Sequence, residues 1–367
     1  MMRPAFASTK SAAAFGLLVA AILLLPAVFG RNWLPPRAES YAAEPWVCGP
    51  YPFIHQQLFE EQGDLDVVFI GSSHMFFGID TAYVQQQLSE KLGRKAGVIT
   101  LGWPWAGFDA AYFIARDLLQ NRRVRLLVVY NECGRADTPH PVSDRWFRWA
   151  DDAGTLTGLP FYSQAGLYAS AIIGMPRNLL SLVRTNRPAD LAATTKNYFE
   201  TTYNAPNPVT HLGALSCRQG FNYDPSYADH VPETIARPAD ACLLTPATRA
   251  MFQRVGPPVP PYQLHFARQL SLLAQAHGTK LLFLHLPEIA EARSAVIPER
   301  ELWPEHLPAP ASLLGIPPAR LFAGLTDEEI KQLFCDSLHL NQNGQRYFTP
   351  LITPALIQFY EAQTNQP

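Results

Sequence analysis

The chain is poor in charge. Only 16% of its 367 residues are Asp, Glu, Lys or Arg, and the formal net charge is -2. An average soluble domain carries roughly 25%. No basic face is on offer for a phosphate backbone, which excludes nucleic acid as a partner class. Cysteine is scarce too, at five residues. No Cys-x-x-Cys occurs and no His/Cys cluster has zinc-ligand spacing, so no metal and no cofactor is expected. Gly-x-Gly-x-x-Gly and Gly-Lys-Ser/Thr loops are both missing, which removes the phosphate cradles of nucleotide-binding α/β proteins. No repeat of fixed period is visible.

Proline is abundant, with 33 residues. Much of it falls after residue 140 and is mixed with Trp, Tyr and Phe, a pattern of long irregular connections rather than disorder. At the N-terminus, Arg3 and Lys10 precede an uncharged stretch over 11–30 containing AAAFGLLVAAILLLPAVFG, followed by Arg31. About 20 such residues span a bilayer as a helix. Basic residues in front favour a cytoplasmic N-terminus and an exported body. The expectation is a signal-anchor or transmembrane segment over 1–32, a linker over 33–63 and one domain over 64–367. The competing reading is a cleaved signal peptide, with Val28 and Gly30 as small residues at the cleavage site, and a secreted protein. Among the cysteines, Cys217 could pair with Cys242, and Cys133 with Cys335, leaving Cys48; spacing alone does not decide the connectivity.

A regular alternation begins after the lead-in. Asp66–Ile70 reads as a buried strand, Thr81–Leu92 as a helix, Gly97–Leu101 as a strand, Gly107–Gln120 as a helix and Arg125–Tyr130 as a strand. Apolar strands separated by helices imply a parallel sheet covered on both faces. The alternation breaks over about 133–261, where Gln164–Val183 has helical spacing and a tract ends GPPVPP. It resumes with a helix at Tyr262–His277 and a strand at Lys280–Leu286. A short strand is expected near Arg320–Phe322, then helices at Thr326–Phe334 and Gly344–Glu361. This is one α/β domain with a large irregular insertion.

Ligands of open α/β sheets bind outside the carboxyl ends of the strands. Four segments there carry chemistry. Gly71-Ser72-Ser73-His74 ends the first strand, where a hydroxyl at the sheet edge can attack a carbonyl; the plainer reading is a polar turn capping a helix. Leu101-Gly102-Trp103 ends the second strand, and its glycine lets a backbone N–H approach a ligand. Tyr130-Asn131-Glu132 ends the third, with an amide able to donate to a developing oxyanion. Cys335-Asp336-Ser337-Leu338-His339-Leu340-Asn341 precedes the last helix. There a carboxylate three residues before a histidine can fix its tautomer and stabilise the imidazolium. The plainer reading is a helix start with Asn341 as N-cap.

In this order, the four segments resemble the SGNH hydrolase superfamily, the GDSL-like esterases. Gly71-Ser72-Ser73 matches the family Gly-Asp-Ser with Ser72 in place of Asp. Gly102 matches the glycine after the second strand. Val129-Tyr130-Asn131-Glu132 matches Gly-x-Asn-Asp without its leading glycine. Asp336 and His339 match Asp-x-x-His, and His-Leu-Asn followed by Gly344 and a terminal helix is typical. The resemblance covers about Asp66–Tyr130 and Lys280–Gln363. It implies a flavodoxin-like SGNH fold, a three-layer α/β/α sandwich with a central mainly parallel sheet. The Gly-Ser-Ser form, the anchor and the long insertion look most like the branch handling O-acetylation of exported polysaccharides such as alginate or cellulose.

The roles implied are Ser73 as nucleophile, His339 as general base and then acid, and Asp336 as its orienting carboxylate. The N–H groups of Ser73 and Gly102 and the Asn131 amide would form an oxyanion hole. The substrate would be an acylated glycan or other ester. A transferase would need a partner delivering the acyl group, such as a multi-spanning membrane acyltransferase. A non-catalytic member of the fold, binding polysaccharide or scaffolding a membrane complex, is the second reading. His74 is set aside as the base because neighbours on an extended chain point apart. His285 reads as a core histidine. Trp103, Trp105, Trp146 and Trp149 read as packing aromatics before sugar platforms, and Arg145 and Arg148 as a solvated face. His55, His140, His211, His230 and His306 have no partner pattern.

Overall fold

A computed structural model describes residues 6–28, 37–42, 51–103, 105–131, 139–140, 152–169, 172, 240–255, 258–299, 307–309 and 311–364. The chain starts with helices α1 (Thr9–Val28), α2 (Arg37–Ala42) and α3 (Tyr51–His55), the last continuing into a π-helical turn at Gln56–Glu60. Then come β1 (Leu65–Ser72), α4 (Ser73–Gly78), α5 (Thr81–Leu92), β2 (Val98–Trp103), α6 (Phe108–Asn121) and β3 (Val124–Tyr130). After the connection lie β4 (Cys242–Leu243), β5 (Phe252–Arg254), α7 (Pro261–Ala276), β6 (Lys280–Leu284), β7 (Ile297–Glu299) and β8 (Ser312–Gly315). Helices α8 (Pro318–Leu321), α9 (Asp327–Lys331) and α10 (Gln342–Thr364) end it.

Six strands form one sheet in the order β2-β1-β3-β6-β8-β4, all parallel except β4, which runs antiparallel to β8 at the edge. Strands β5 and β7 form a separate parallel pair. Alternate strand residues feed two cores, as a period of two requires. Val68, Ile70, Leu127, Val129, Leu281 and Phe283 pack with Phe113, Leu118, Phe266 and Leu270 of α6 and α7. Phe69, Leu126, Val128, Leu282 and Leu284 pack with Val84, Leu88, Phe348 and Ile352 of α5 and α10. Three layers result. From β1 the chain goes to β2 on one side and to β3 on the other, so strand order switches beside the carboxyl end of β1.

The lead-in packs onto this body. Ile54 and Leu58 are fully buried in the α6/α7 core. Arg37 donates to Asp117 of α6 at 2.6 Å and to Asp152 at 3.1 Å, and the Tyr41 hydroxyl donates to the same Asp117 oxygen at 2.8 Å.

Several expectations need correction. The stretch Arg320–Phe322 is not a strand: Pro317 and Pro318 start helix α8 over Pro318–Leu321, and the strand sits earlier, at Ser312–Gly315. A helix, α4, follows β1 directly, and the β5–β7 pair was not foreseen. The expected transmembrane helix is not met: among the described residues no helix is long and apolar enough to cross a membrane. The helix expected over Gln164–Val183 is described in part, with residues 161–169 helical. Cys242 and Cys335 are buried, and neither is in a disulfide among the described residues. Cys48, Cys133 and Cys217 lie outside the described residues, with the two expected pairings.

Candidate active site

Ser72 and Ser73 stand where β1 becomes α4. Ser72 is the N-cap, its Oγ accepting from the His74 backbone N–H at 3.3 Å, and Ser73 is the first helical residue. The turn is tight. A Cβ on Gly71 would stand 2.6 Å from Tyr130 Cβ and 3.0 Å from Met75 Cβ. A Cβ on Gly102 would stand 2.9 Å from Phe76 Cβ, so both glycines let α4 sit down on β2 and β3. The helix is then pinned from the far end of the chain. Gln345 of α10 donates to the carbonyls of Phe76 and Ile79 at 3.4 and 2.9 Å, and Thr349 Oγ1 accepts from Asp80 N–H at 2.9 Å.

That docking brings the late motif to Ser73. Residues 334–341 form a closed loop, with Cys335 N–H donating to the His339 carbonyl at 2.8 Å and Asn341 N–H to the Leu333 carbonyl at 2.9 Å. Asn341 Oδ1 accepts from Asn343 N–H and Gly344 N–H at 2.8 and 3.0 Å, so the expected capping is present as well. Within the loop, Asp336 Oδ1 accepts the backbone N–H groups of Leu338 and His339, both at 2.7 Å. Asp336 Oδ2 lies 2.8 Å from His339 Nδ1, and His339 Nε2 lies 2.8 Å from Ser73 Oγ. The two ends of that last bond are 266 positions apart in sequence. Burial works against the Asp336 charge. The hydrogen bond and charge of His339 and the two backbone donors outweigh it, and the carboxyl is held below its ordinary range.

His339 is walled in. The Phe77 ring meets it edge-on at 5.6 Å, and the His74 ring lies against it at 4.5 Å between centroids. His74 in turn stacks on Tyr130 at 5.1 Å. The sequence-level argument that set His74 apart assumed an extended chain. In the structure Ser73 and His74 are helical, and His74 packs on His339 rather than turning away from it.

The expected oxyanion residues are placed less simply. Gly102 is on β2, in register with Gly71. Asn131 directly follows β3, its N–H donating to the Leu284 carbonyl at 3.1 Å. Its side-chain amide nitrogen donates to Glu299 and lies 3.5 Å from His285 Nδ1. His285 is the buried, satisfied histidine expected of it, and its partners are two carboxylates: its Nε2 is 3.0 Å from Glu291 Oε2, and its Nδ1 3.7 Å from Glu299. Burial disfavours the His285 cation, but the two carboxylates more than offset this and push its pKa up to about 10. Burial raises the Glu299 carboxyl, with His285 and Asn131 pulling the other way. His74 Nε2 lies 4.0 Å from Glu288, which forms a capping box with Glu291.

Sequence reasoning missed Glu288, Glu291 and Glu299. The first two had a signal, because they stand three apart just after the carboxyl end of β6. Glu299 had none; it follows a proline in an irregular stretch. Trp103 is buried and Trp105 is exposed with a left-handed φ of 64°. Arg145, Arg148, Trp146 and Trp149 lie outside the described residues. Among the described residues no cluster of three His, Cys, Asp or Glu side chains could hold a metal ion. No protein-family model matches the chain, and no curated protein matches it. The fold itself is an α/β fold with a mixed, mostly parallel six-stranded sheet.

Proposed function

We propose that the protein is a serine esterase or O-acyltransferase of the SGNH hydrolase type, acting through an acyl-Ser73 intermediate on O-acetyl groups of a polysaccharide or other glycan. The observation that carries this is the unbroken hydrogen-bonded chain Ser73 Oγ, His339, Asp336 at the strand-order switch. In that arrangement His339 Nε2 takes the Ser73 proton as Oγ attacks an ester carbonyl. Asp336 at Nδ1 fixes the tautomer and stabilises the imidazolium. The carbonyl oxygen becomes an oxyanion. Its donors would be the Ser73 N–H, which the helical ladder of α4 does not use, the Gly102 N–H and the Asn131 amide. Collapse expels the sugar oxygen, which leaves with the proton from His339. Water, or a hydroxyl of a second glycan, then attacks the acyl-enzyme with His339 again as base. The Phe77 and His74 rings keep bulk water from the imidazole.

We place the body of the protein outside the cytoplasm, exported by way of its N-terminal segment and secreted after cleavage of that segment. The support is the uncharged stretch 11–30 behind Arg3 and Lys10. As a transferase it would take its acyl group from a multi-spanning membrane acyltransferase. The test of the chemistry is Ser73→Ala. Hydrolysis of p-nitrophenyl acetate and release of acetate from an acetylated glycan are expected to fall by at least about 10³-fold. Unchanged activity would end this reading.

A second reading has its own observation. The Asn131 amide nitrogen is already engaged by Glu299, and Ser72 stands where the family has Asp. Both would suit a non-catalytic member of the fold that binds polysaccharide or scaffolds an acetylation complex. In that case a fluorophosphonate probe leaves Ser73 unlabelled. Labelling that depends on Ser73 and His339 rules it out.

A further inference from the structure

We propose that Glu299 is a positioning residue for the Asn131 amide, and that His285 and Glu291 hold Glu299 in that role. The inference rests on the serine-esterase reading above. Three ionisable side chains are gathered beside the carboxyl end of β3, two of them buried, His285 at 5% and Glu299 at 4% exposure. Burying charge is costly, and a cluster that served only packing could be replaced by apolar side chains at little loss. Among the described residues, the neutral side chain that the cluster touches is the Asn131 amide.

The chemistry of that contact fixes the amide. A carboxylate only accepts, so it takes an N–H of Asn131 and repels the carbonyl oxygen, which settles which way round the amide sits. One N–H is consumed. The second is held rigidly at the angle set by the planar amide, and the charge-assisted bond to the first keeps it there. Such a donor costs nothing to reorganise when charge develops nearby. The strand register puts it close to the nucleophile: Ile70 of β1 pairs with Val129 of β3, so one strand end delivers Ser73 and its neighbour delivers Asn131. Tyr130, between Val129 and Asn131, touches the Gly71 turn.

Glu299 is placed by its own supports. It ends β7, in register with Arg254 of β5, and its carbonyl accepts from the Val255 N–H. His285 follows β6, its N–H donating to the Leu314 carbonyl of β8 at 2.8 Å. Gly315 lets both arrive: a Cβ there would stand 3.0 Å from Ile297 Cδ1 and 3.2 Å from His285 Cβ. The small β5–β7 sheet thereby becomes a support for the Asn131 amide.

The experiment is a double-mutant cycle on the full-length protein with p-nitrophenyl acetate as substrate. Glu299→Gln is expected to lower kcat by at least 10-fold with KM changed less than threefold, and Asn131→Ala by about 10²–10³-fold. Combined, the two are expected to be no slower than Asn131→Ala alone. Glu299→Asp is expected to recover part of the loss. An equal fold-loss from Glu299→Gln in both backgrounds, or no loss in either, overturns the proposal. Where Glu299→Gln does not fold, Glu291→Gln at the more exposed side of the cluster replaces it, with a smaller kcat loss that must also vanish in the Asn131→Ala background. Ser73→Ala runs alongside: activity surviving it sinks the esterase reading itself, a result separate from the outcomes of the cycle.

Discussion

The two ends of the central sheet each hold a carboxylate below its ordinary pKa, and among the described residues only the one at the carboxyl end leads through a histidine to a serine hydroxyl. At the amino end, Asp66 of β1 takes both guanidinium nitrogens of Arg94 at 2.6 and 2.8 Å, the Tyr360 hydroxyl at 2.7 Å and the Gly97 N–H at 2.9 Å. Burial works against its charge, and these four donors outweigh burial. At the carboxyl end, Asp336 is held down by His339 and two backbone donors. The partners differ in kind. Arg94 and Tyr360 tie β1 to the β2 turn and to α10. His339 hands the interaction on to a hydroxyl. A perturbed carboxylate is therefore no site by itself; what its partner touches next decides. A shallow cavity of about 240 Å³ does open at the amino end, lined by Asp64, Arg123, Arg125, His277 and Lys280, but it offers no hydroxyl or thiol.

That contrast can be broken by substitution. Asp336→Asn is expected to cut turnover of p-nitrophenyl acetate by about 10³–10⁴-fold, because the amide favours the wrong imidazole tautomer. Its effect on urea stability should be smaller than that of Asp66→Asn. Asp66→Asn is expected to lose about 1–3 kcal/mol of stability, because the Tyr360 hydroxyl and the Gly97 N–H lose their charged acceptor, while kcat per folded molecule stays within twofold. Equal losses of activity from the two would erase the distinction. Gly71→Ala is expected to cost about 1–3 kcal/mol. It should also slow turnover, because its Cβ would push against Tyr130 and Met75 beside Ser73.

The smallest effect is on the pH dependence of folding. His285 has its folded-state pKa raised to about 10 by Glu291 and Glu299, in spite of burial. Its contribution is therefore complete below the unfolded value of about 6.5 and is lost as pH rises towards 10. Asp66 and Asp336 act in the opposite sense. Their contribution is present above about pH 4 and fades as acid protonates them. Urea midpoints should thus fall on both flanks. A His285→Asn variant should lose the alkaline decline and keep the acid one.

The central strands and the helices beside them were legible because runs such as Val67–Ile70 and Leu126–Tyr130 are apolar on both faces, and only a covered parallel sheet buries them. The Asp336/His339 pair was legible because its spacing is local. Its meeting with Ser73 was expected only through the family resemblance and not from either segment alone, since it depends on Gln345 and Thr349 holding α4 across the chain. Glu299 was hidden for the same reason: it reaches Asn131 only through the β5–β7 pair, whose strands are three residues each. Charged residues in short irregular strands read as surface, and here one is buried.

The most direct test of the serine mechanism is mass spectrometry of the protein after brief exposure to an activated acetyl ester. The account predicts one acetyl group on the peptide containing Ser73, absent from a His339→Ala variant treated in the same way. An unmodified Ser73, or equal acetylation with and without His339, would contradict it.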